Sequence, residues 1–160
     1  MVKQSKAEAV ASMLSNKGVT VSVAEGDTAG YLGQLLADTP GSSVFFYGGI
    51  LAYAKYVQQH LLGISKELID AEGSVSTMVS LAMAQRVREL CGSDIGISLT
   101  GIAGPTGESK EKPIGLYYIS LTSREGFSSC RKFLFKKQSR QQNRKQAAQE
   151  ALRVLQEYID

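Results

Sequence analysis

Residues 95–107 constrain this chain most. An apolar run, Ile95-Gly96-Ile97-Ser98-Leu99, leads straight into Thr100-Gly101-Ile102-Ala103-Gly104-Pro105-Thr106-Gly107. Three glycines and a proline within seven residues forbid continuation as helix or strand and let main-chain N–H groups turn inward. A loop of that make-up after a buried strand is where open α/β sheets place ligands. The bare pattern equally fits a tight connection with no ligand.

The rest of the chain supplies the alternation such a sheet needs. Ser5-Lys6-Ala7-Glu8 forms a capping box, and Ala9, Val10, Met13 and Leu14 stripe a first helix closed by Gly18. Residues 19–23 alternate as a first strand. The small-residue turn Ala24-Glu25-Gly26-Asp27-Thr28-Ala29-Gly30 then feeds a helix carrying Leu32, Leu35 and Leu36. Residues 44–53 read as a strand broken at Gly48-Gly49. Short helices are expected around Leu61-Leu62 and Leu68-Ile69, and a long one over 76–91. Residues 114–121 and 129–135 read as a hairpin, and 139–158 as the closing helix. The order α-β-α-β-α-α-β-β-β-α predicts an α/β fold: a three-layer α/β/α sandwich on a mixed sheet, in one domain over residues 1–160.

Composition narrows the class. The 160 residues are 43% hydrophobic and 21% charged, with a net charge of +3, which suits a globular core. No run approaches the ~20 apolar residues of a membrane span, so no membrane partner is expected. Residues 1–5 hold no signal-peptide core. Two cysteines, Cys91 and Cys130, and a single histidine, His60, make neither a disulfide framework nor a zinc cluster, and a cytoplasmic location is expected. The basic stretch Arg131, Lys132, Lys136, Lys137, Arg140, Arg144 and Lys145 contains no acidic residue, yet only Phe133 and Phe135 interleave with it. Nucleic acid is therefore not the expected partner.

Taken together, several segments resemble the CinA C-terminal domain family, which includes bacterial nicotinamide mononucleotide deamidase. They are Ala24-Glu25-x-x-Thr28-x-Gly30, Pro40-Gly41-Ser42-Ser43, Gly48-Gly49-x-x-Ala52-Tyr53, Leu61-Leu62-Gly63, Gly73-x-Val75-Ser76, Thr100-Gly101-Ile102-Ala103-Gly104-Pro105 and Glu111-Lys112-Pro113-x-Gly115. The resemblance implies an α/β/α domain that binds a pyridine mononucleotide or a related small molecule, hydrolyses its amide without metal or cofactor, and forms a homo-oligomer, expected to be a dimer. By resemblance the ligand-binding residues are Glu25, Thr28, Gly30, Tyr53, Thr100, Gly101, Ala103, Gly104, Arg140 and Arg144, with Arg144 matching an arginine linked to the nucleotide phosphate. Phe45-Phe46-Tyr47 is a candidate contact between copies.

Two departures stand out. The family's first turn reads Ala-Glu-Ser-Cys-Thr-Gly-Gly, its serine being the proposed nucleophile. Here the serine position is Gly26, the cysteine is Asp27 and the first glycine of the pair is Ala29. The family's activating lysine falls at Gln58. Covalent amide hydrolysis needs a nucleophile and a group to take its proton, and neither Gly26 nor Gln58 serves. The expectation is a catalytically deficient relative with a binding or regulatory role. The alternative is an amidohydrolase with relocated groups, using Asp27 or Thr28, with Tyr53 as a residual site residue. Asp27 also reads as an N-cap for a helix over 28–38, and Lys55 as a solvated lysine that a strand would align with Tyr53. Gln138-Ser139 replace the family's Gly-Asp before the arginine.

Overall fold

The computed structural model describes residues 4–160; the expectation for Met1, Val2 and Lys3 lies outside them. Six helices and five strands follow in order: α1 (Lys6–Lys17), β1 (Val21–Glu25), α2 (Tyr31–Ala37), β2 (Phe46–Leu51), α3 (Lys55–His60), α4 (Lys66–Glu72), α5 (Thr77–Cys91), β3 (Ile95–Gly101), β4 (Leu116–Ser123), β5 (Ser128–Leu134) and α6 (Arg140–Ile159). A short 3-10 turn, Ser42–Val44, precedes β2.

The sheet order is β2-β1-β3-β4-β5. β2, β1 and β3 are parallel, while β3, β4 and β5 form an antiparallel meander. This is the mixed sheet that the late hairpin implied. Period-2 alternation divides the central strands between two cores. Val21, Val23, Ile95, Ile97 and Leu99 join α1, α2 and α6 in one buried cluster. On the other face, Ala24 packs with Ile69, Val79, Met83 and Val87 of α4 and α5. Each fully buried Leu, Ile or Val contributes roughly 1.5–3 kcal/mol.

The α5 face is small and hydroxylated because the helix lies unusually close. A Cβ at Gly96 would stand 2.0 Å from the Ala84 carbonyl oxygen. Ser80 bonds Ser98 at 3.0 Å and Ser120 at 2.7 Å, and Ser22 bonds Ser93 at 2.7 Å. These hydroxyls satisfy one another where a larger side chain would not fit.

Three expectations are corrected. β1 runs Val21–Glu25, two residues beyond the 19–23 reading, because Thr20 caps Asp94 through both its N–H and its hydroxyl. β2 is continuous through Gly48-Gly49: Gly48 takes φ +111° beside a register irregularity, and a Cβ at Gly49 would lie 2.2 Å from the Val23 carbonyl. The helix expected around Leu61-Leu62 is α3, which ends at His60. No helix among the described residues is long and apolar enough to cross a membrane.

Candidate functional site

At the carboxyl edge of β1 and β3, the chain leaves two neighbouring parallel strands through two glycine-bearing turns. Between them lies a cleft of about 250 Å³, lined by Gly26, Asp27, Tyr53, Gln58, Ser74, Val75, Thr100, Gly101, Ile102, Ala103, Thr106, Gly107 and Arg140. Larger hollows exist: one of about 440 Å³ near Lys17, Asp94 and Arg124, and one of about 560 Å³ near Pro105, Glu108 and Lys137. The smaller cleft is the functional candidate because of its chemistry. Of the six buried side-chain polar atoms without a hydrogen-bond partner among the described residues, three line it: Asp27 Oδ1, Gln58 Oε1 and Ser74 Oγ. Buried polar groups are normally paired, so three unmatched atoms on residues beside one hollow single it out as the candidate site.

The first turn hangs from Glu25. Its fully buried carboxylate accepts from the Thr28 hydroxyl at 2.6 Å, the Gly30 N–H at 3.0 Å and the Gly33 N–H at 2.7 Å. The last two are free donors at the start of α2, so Glu25 caps that helix from the preceding strand. The N-cap role expected of Asp27 is thereby corrected: α2 begins at Tyr31 after Gly30, with no local side-chain cap. Asp27 is released toward the cleft instead. Its Oδ2 accepts from the Tyr117 hydroxyl at 2.7 Å. Burial pushes its carboxyl above the usual range, opposed by the Tyr117 bond, by the charges of Arg140 and Arg144 and by the Ala103 main-chain N–H.

Gly26 N–H donates to the Leu99 carbonyl at 2.9 Å, which ties this turn to β3. A Cβ at Gly26 would meet nothing closer than the Leu99 oxygen at 3.4 Å, ordinary contact distance. Gln58, on α3, is 2% exposed and donates its amide N–H to the Ala52 carbonyl at 3.4 Å. The positions that resemblance assigns to a nucleophile and its base thus share one cleft.

The second turn is locked by side chains. The Thr100 hydroxyl donates to the Ser74 carbonyl at 2.7 Å, and the Asn143 amide to the Ala103 carbonyl at 2.9 Å. Arg140 donates to the Gly104 carbonyl at 2.9 Å and to the Tyr53 hydroxyl at 2.7 Å, bridging the mouth. Gly101 admits the Tyr117 ring, which a Cβ there would meet at 2.3 Å.

Of the residues expected at the site, Gly26, Asp27, Tyr53, Gln58, Thr100, Gly101, Ala103 and Arg140 line the cleft; Glu25, Thr28, Gly30, Gly104 and Arg144 do not. Thr28 is corrected as a relocated nucleophile: its hydroxyl does donate to the Glu25 carboxylate at 2.6 Å, but both residues are fully buried and neither lines the cleft. Arg144 donates to the Thr28 carbonyl at 3.2 Å and stacks on Tyr31 at 5.0 Å, behind the turn. Lys55 begins α3 rather than lying on a strand with Tyr53, and is exposed. Phe45, expected at an interface, is 1% exposed and belongs to the core, leaving Tyr47 outside. The basic stretch is divided, with Arg131 paired to Glu157 at 2.5 Å and Arg140 turned to the cleft.

Sequence reasoning missed Tyr117, Ser74 and Asn143. Asn143 had a signal, being polar on the apolar stripe of Ala147 and Ala151. Tyr117 had none, because its role depends on its register opposite Gly101.

Comparison with known proteins agrees with this architecture. A family model described as the CinA C-terminal domain matches residues 3–159. A competence-damage inducible protein of Halothermothrix orenii is 41% identical over 150 residues, 94% of this chain and 36% of that protein. A CinA-like protein of Synechocystis is 48% identical over 123 residues, 77% of this chain and 30% of that protein. The chain therefore spans about a third of these curated relatives. Among solved structures, competence/damage inducible protein CihA from Agrobacterium tumefaciens superposes with TM-score 0.90 at 28% identity, covering 97% of this chain and 96% of that one. A CinA superfamily protein from Klebsiella pneumoniae shares the fold with TM-score 0.92 at 24% identity, covering 98% of each chain.

Proposed function

The chain belongs to the CinA C-terminal domain family, and from that premise we propose that it binds a pyridine mononucleotide or a close analogue without hydrolysing its amide. The observation that carries this reading is that Gly26 and Gln58 face one cleft. Where the resemblance implies a serine hydroxyl and a lysine amine, the wall offers a hydrogen atom and a neutral carboxamide. Among the described residues no lysine lines the cleft, so none of their amines stands in.

The hydroxyls that line the cleft do not rebuild a nucleophile and base, and the Thr28–Glu25 pair lies buried behind it. Thr100 donates to a main-chain carbonyl, Tyr53 accepts from Arg140, and Ser74 Oγ bonds neither Asp27 nor any other group. Tyr117 does meet a carboxylate, but burial and the Asp27 charge push its phenol far upward, the reverse of activation. Nucleophile and base act as a unit, and losing either costs several orders of magnitude.

A regulatory or ligand-sensing role follows: the scaffold holds a nucleotide and leaves it intact. The same reading includes self-association, for which Tyr47 and Leu51, exposed on β2 at the sheet edge, are the candidate contacts; sedimentation velocity across a concentration series tests it. The test of the main reading is calorimetric titration with nicotinamide mononucleotide beside an ammonia-release assay. Saturable binding with no ammonia supports it, and ammonia release comparable to an active relative removes it.

Asp27 favours a second reading, since its carboxylate faces the cleft rather than capping α2. With its pKa raised by burial, it would serve as base toward water on a small amide. Any ammonia release abolished by Asp27→Ala would select this reading.

A further inference from the structure

We propose that residues 105–113 are a lid on the cleft, latched by the Lys112 ammonium on the carbonyl end of α4, and that lifting it admits the ligand. The second half rests on the reading that the cleft receives a nucleotide; the first does not.

Fixed contacts stop at the neck of this segment. The Ile102 N–H donates to the Leu116 carbonyl at 2.9 Å, and the Ile102 carbonyl accepts from the Gly115 N–H at 2.8 Å, so the two ends are paired. Asn143 and Arg140 hold the Ala103 and Gly104 carbonyls. Beyond the neck, residues 105–111 are all exposed, and no helix or strand forms between β3 and β4. The main chains of Ser109 and Lys112 bond each other across a tight turn. Among the described residues, a single hydrogen bond carries residues 105–112 to another part of the chain: Lys112 Nζ donates to the Glu72 carbonyl at 2.6 Å.

That latch is suited to opening. Glu72 ends α4, where the last carbonyls have no partner within the helix and the dipole is negative. An ammonium is favoured there, yet water hydrates both groups when they part. Gly73 makes the carbonyl reachable: it takes φ +80°, and a Cβ there would stand 2.8 Å from Lys112 Nζ. Deeper in, the buried Thr100 side chain ties β3 to the Ser74 carbonyl at 2.7 Å. The floor of the cleft therefore stays joined when its rim parts.

The lid's place gives the motion a use. Thr106 and Gly107 line the cleft together with Ser74 and Val75, which follow α4, so the latch joins two of the cleft's walls. On the other flank, Pro105, Glu108, Pro113 and Ile114 line the hollow of about 560 Å³. With the lid down, the cleft holds about 250 Å³, below the usual span for whole ligands. Lifting the segment that stands between them runs the two hollows together.

Tryptic nicking of the full chain and ligand-binding kinetics test the lid. Lys110 lies within it, and Lys112 precedes Pro113, a bond that trypsin spares, so substitution at 112 neither adds nor removes a cut. The rate of cleavage after Lys110 reports how often the segment lifts. Lys112→Met should raise that rate about threefold, the effect of one charge at a helix end. Lys112→Arg keeps a charged donor and should return the rate toward that of the wild type. Surface plasmon resonance with nicotinamide mononucleotide on the immobilised chain should show association and dissociation quickened by the same factor in Lys112→Met, with Kd unchanged. A gate speeds entry and exit alike, whereas a lost ligand contact raises dissociation alone. Melting temperatures confirm that both variants fold. Nicking left unchanged by Lys112→Met, or as fast in Lys112→Arg as in Lys112→Met, overturns the latch. Faster nicking with unchanged binding rates overturns the gate. Absence of nucleotide binding in every form overturns the ligand reading instead, and the nicking rates then decide the lid on their own.

Discussion

The two turns that wall the cleft leave adjacent parallel strands and both take outside contacts, yet only one has a side-chain frame of its own. The turn after β1 is framed chiefly from within, by the buried Glu25 carboxylate reaching Thr28, Gly30 and Gly33, with Arg144 and Tyr117 adding one bond each from outside. The loop after β3 is fixed from outside, by Asn143 and Arg140 of α6 and by the Thr100 hydroxyl on Ser74. A turn with an internal frame can change the residues that face the ligand without losing its shape. On the proposed reading that is what has happened: the framing residues Glu25, Thr28 and Gly30 keep the family pattern, while positions 26, 27 and 29 depart from it. The externally clamped loop keeps Thr100-Gly101-Ile102-Ala103-Gly104-Pro105 intact.

The largest effect should come from breaking the internal frame. Glu25→Ala leaves a buried hydroxyl and two part-buried N–H groups without an acceptor, the buried one costing roughly 1–3 kcal/mol and the other two less. Urea unfolding should show a loss of about 3 kcal/mol or more. A loss below 1 kcal/mol would mean the turn is held by something else.

Next is the relaxation of the one strained residue in that turn. Ala29 takes φ +47°, the only positive φ at a non-glycine among the described residues. The left-handed region costs an L-residue about 1 kcal/mol, so Ala29→Gly should stabilise by up to ~1 kcal/mol, less the added freedom of the unfolded chain. Destabilisation would show that the Ala29 side chain contributes contacts of its own.

The smallest effect is electrostatic. Burial raises the folded pKa of Asp27 above that of an ordinary aspartate. The folded state therefore binds the proton more tightly, and stability is lost as pH rises from the unfolded value through the folded one. Asp27→Asn removes that dependence. The melting temperature of the variant minus that of the wild type should rise between pH 4 and pH 7, within the equivalent of ~1 kcal/mol. A flat or falling difference would place the carboxylate in a better-solvated setting.

Much of the scaffold was legible in the sequence. The runs 95–99, 76–91 and 139–158 each fall within two residues of β3, α5 and α6, because long periodic segments and local caps report their own ends. Asp27 was not legible as a cleft residue. Its sequence context is that of a helix cap, but the donors it would have capped are already satisfied by Glu25, five residues before Gly30 and eight before Gly33. Local capping rules do not see a carboxylate at that range. Likewise Tyr117 reaches Asp27 only through the register of β4 against β3, which no run of adjacent residues encodes.

On the proposed reading, Gly26 and Gln58 are the two departures that remove amide hydrolysis, whatever Asp27, Ala29 and Gln138-Ser139 add to it. Ammonia release from nicotinamide mononucleotide, compared between the wild type and Gly26→Ser/Gln58→Lys, tests it directly. A Cβ at position 26 is accommodated at 3.4 Å, so the added hydroxyl has room. The account predicts no release from the wild type and a rise of at least about 100-fold over background in the double variant, with neither single variant sufficient. Release by the wild type that the double substitution leaves unchanged would contradict it.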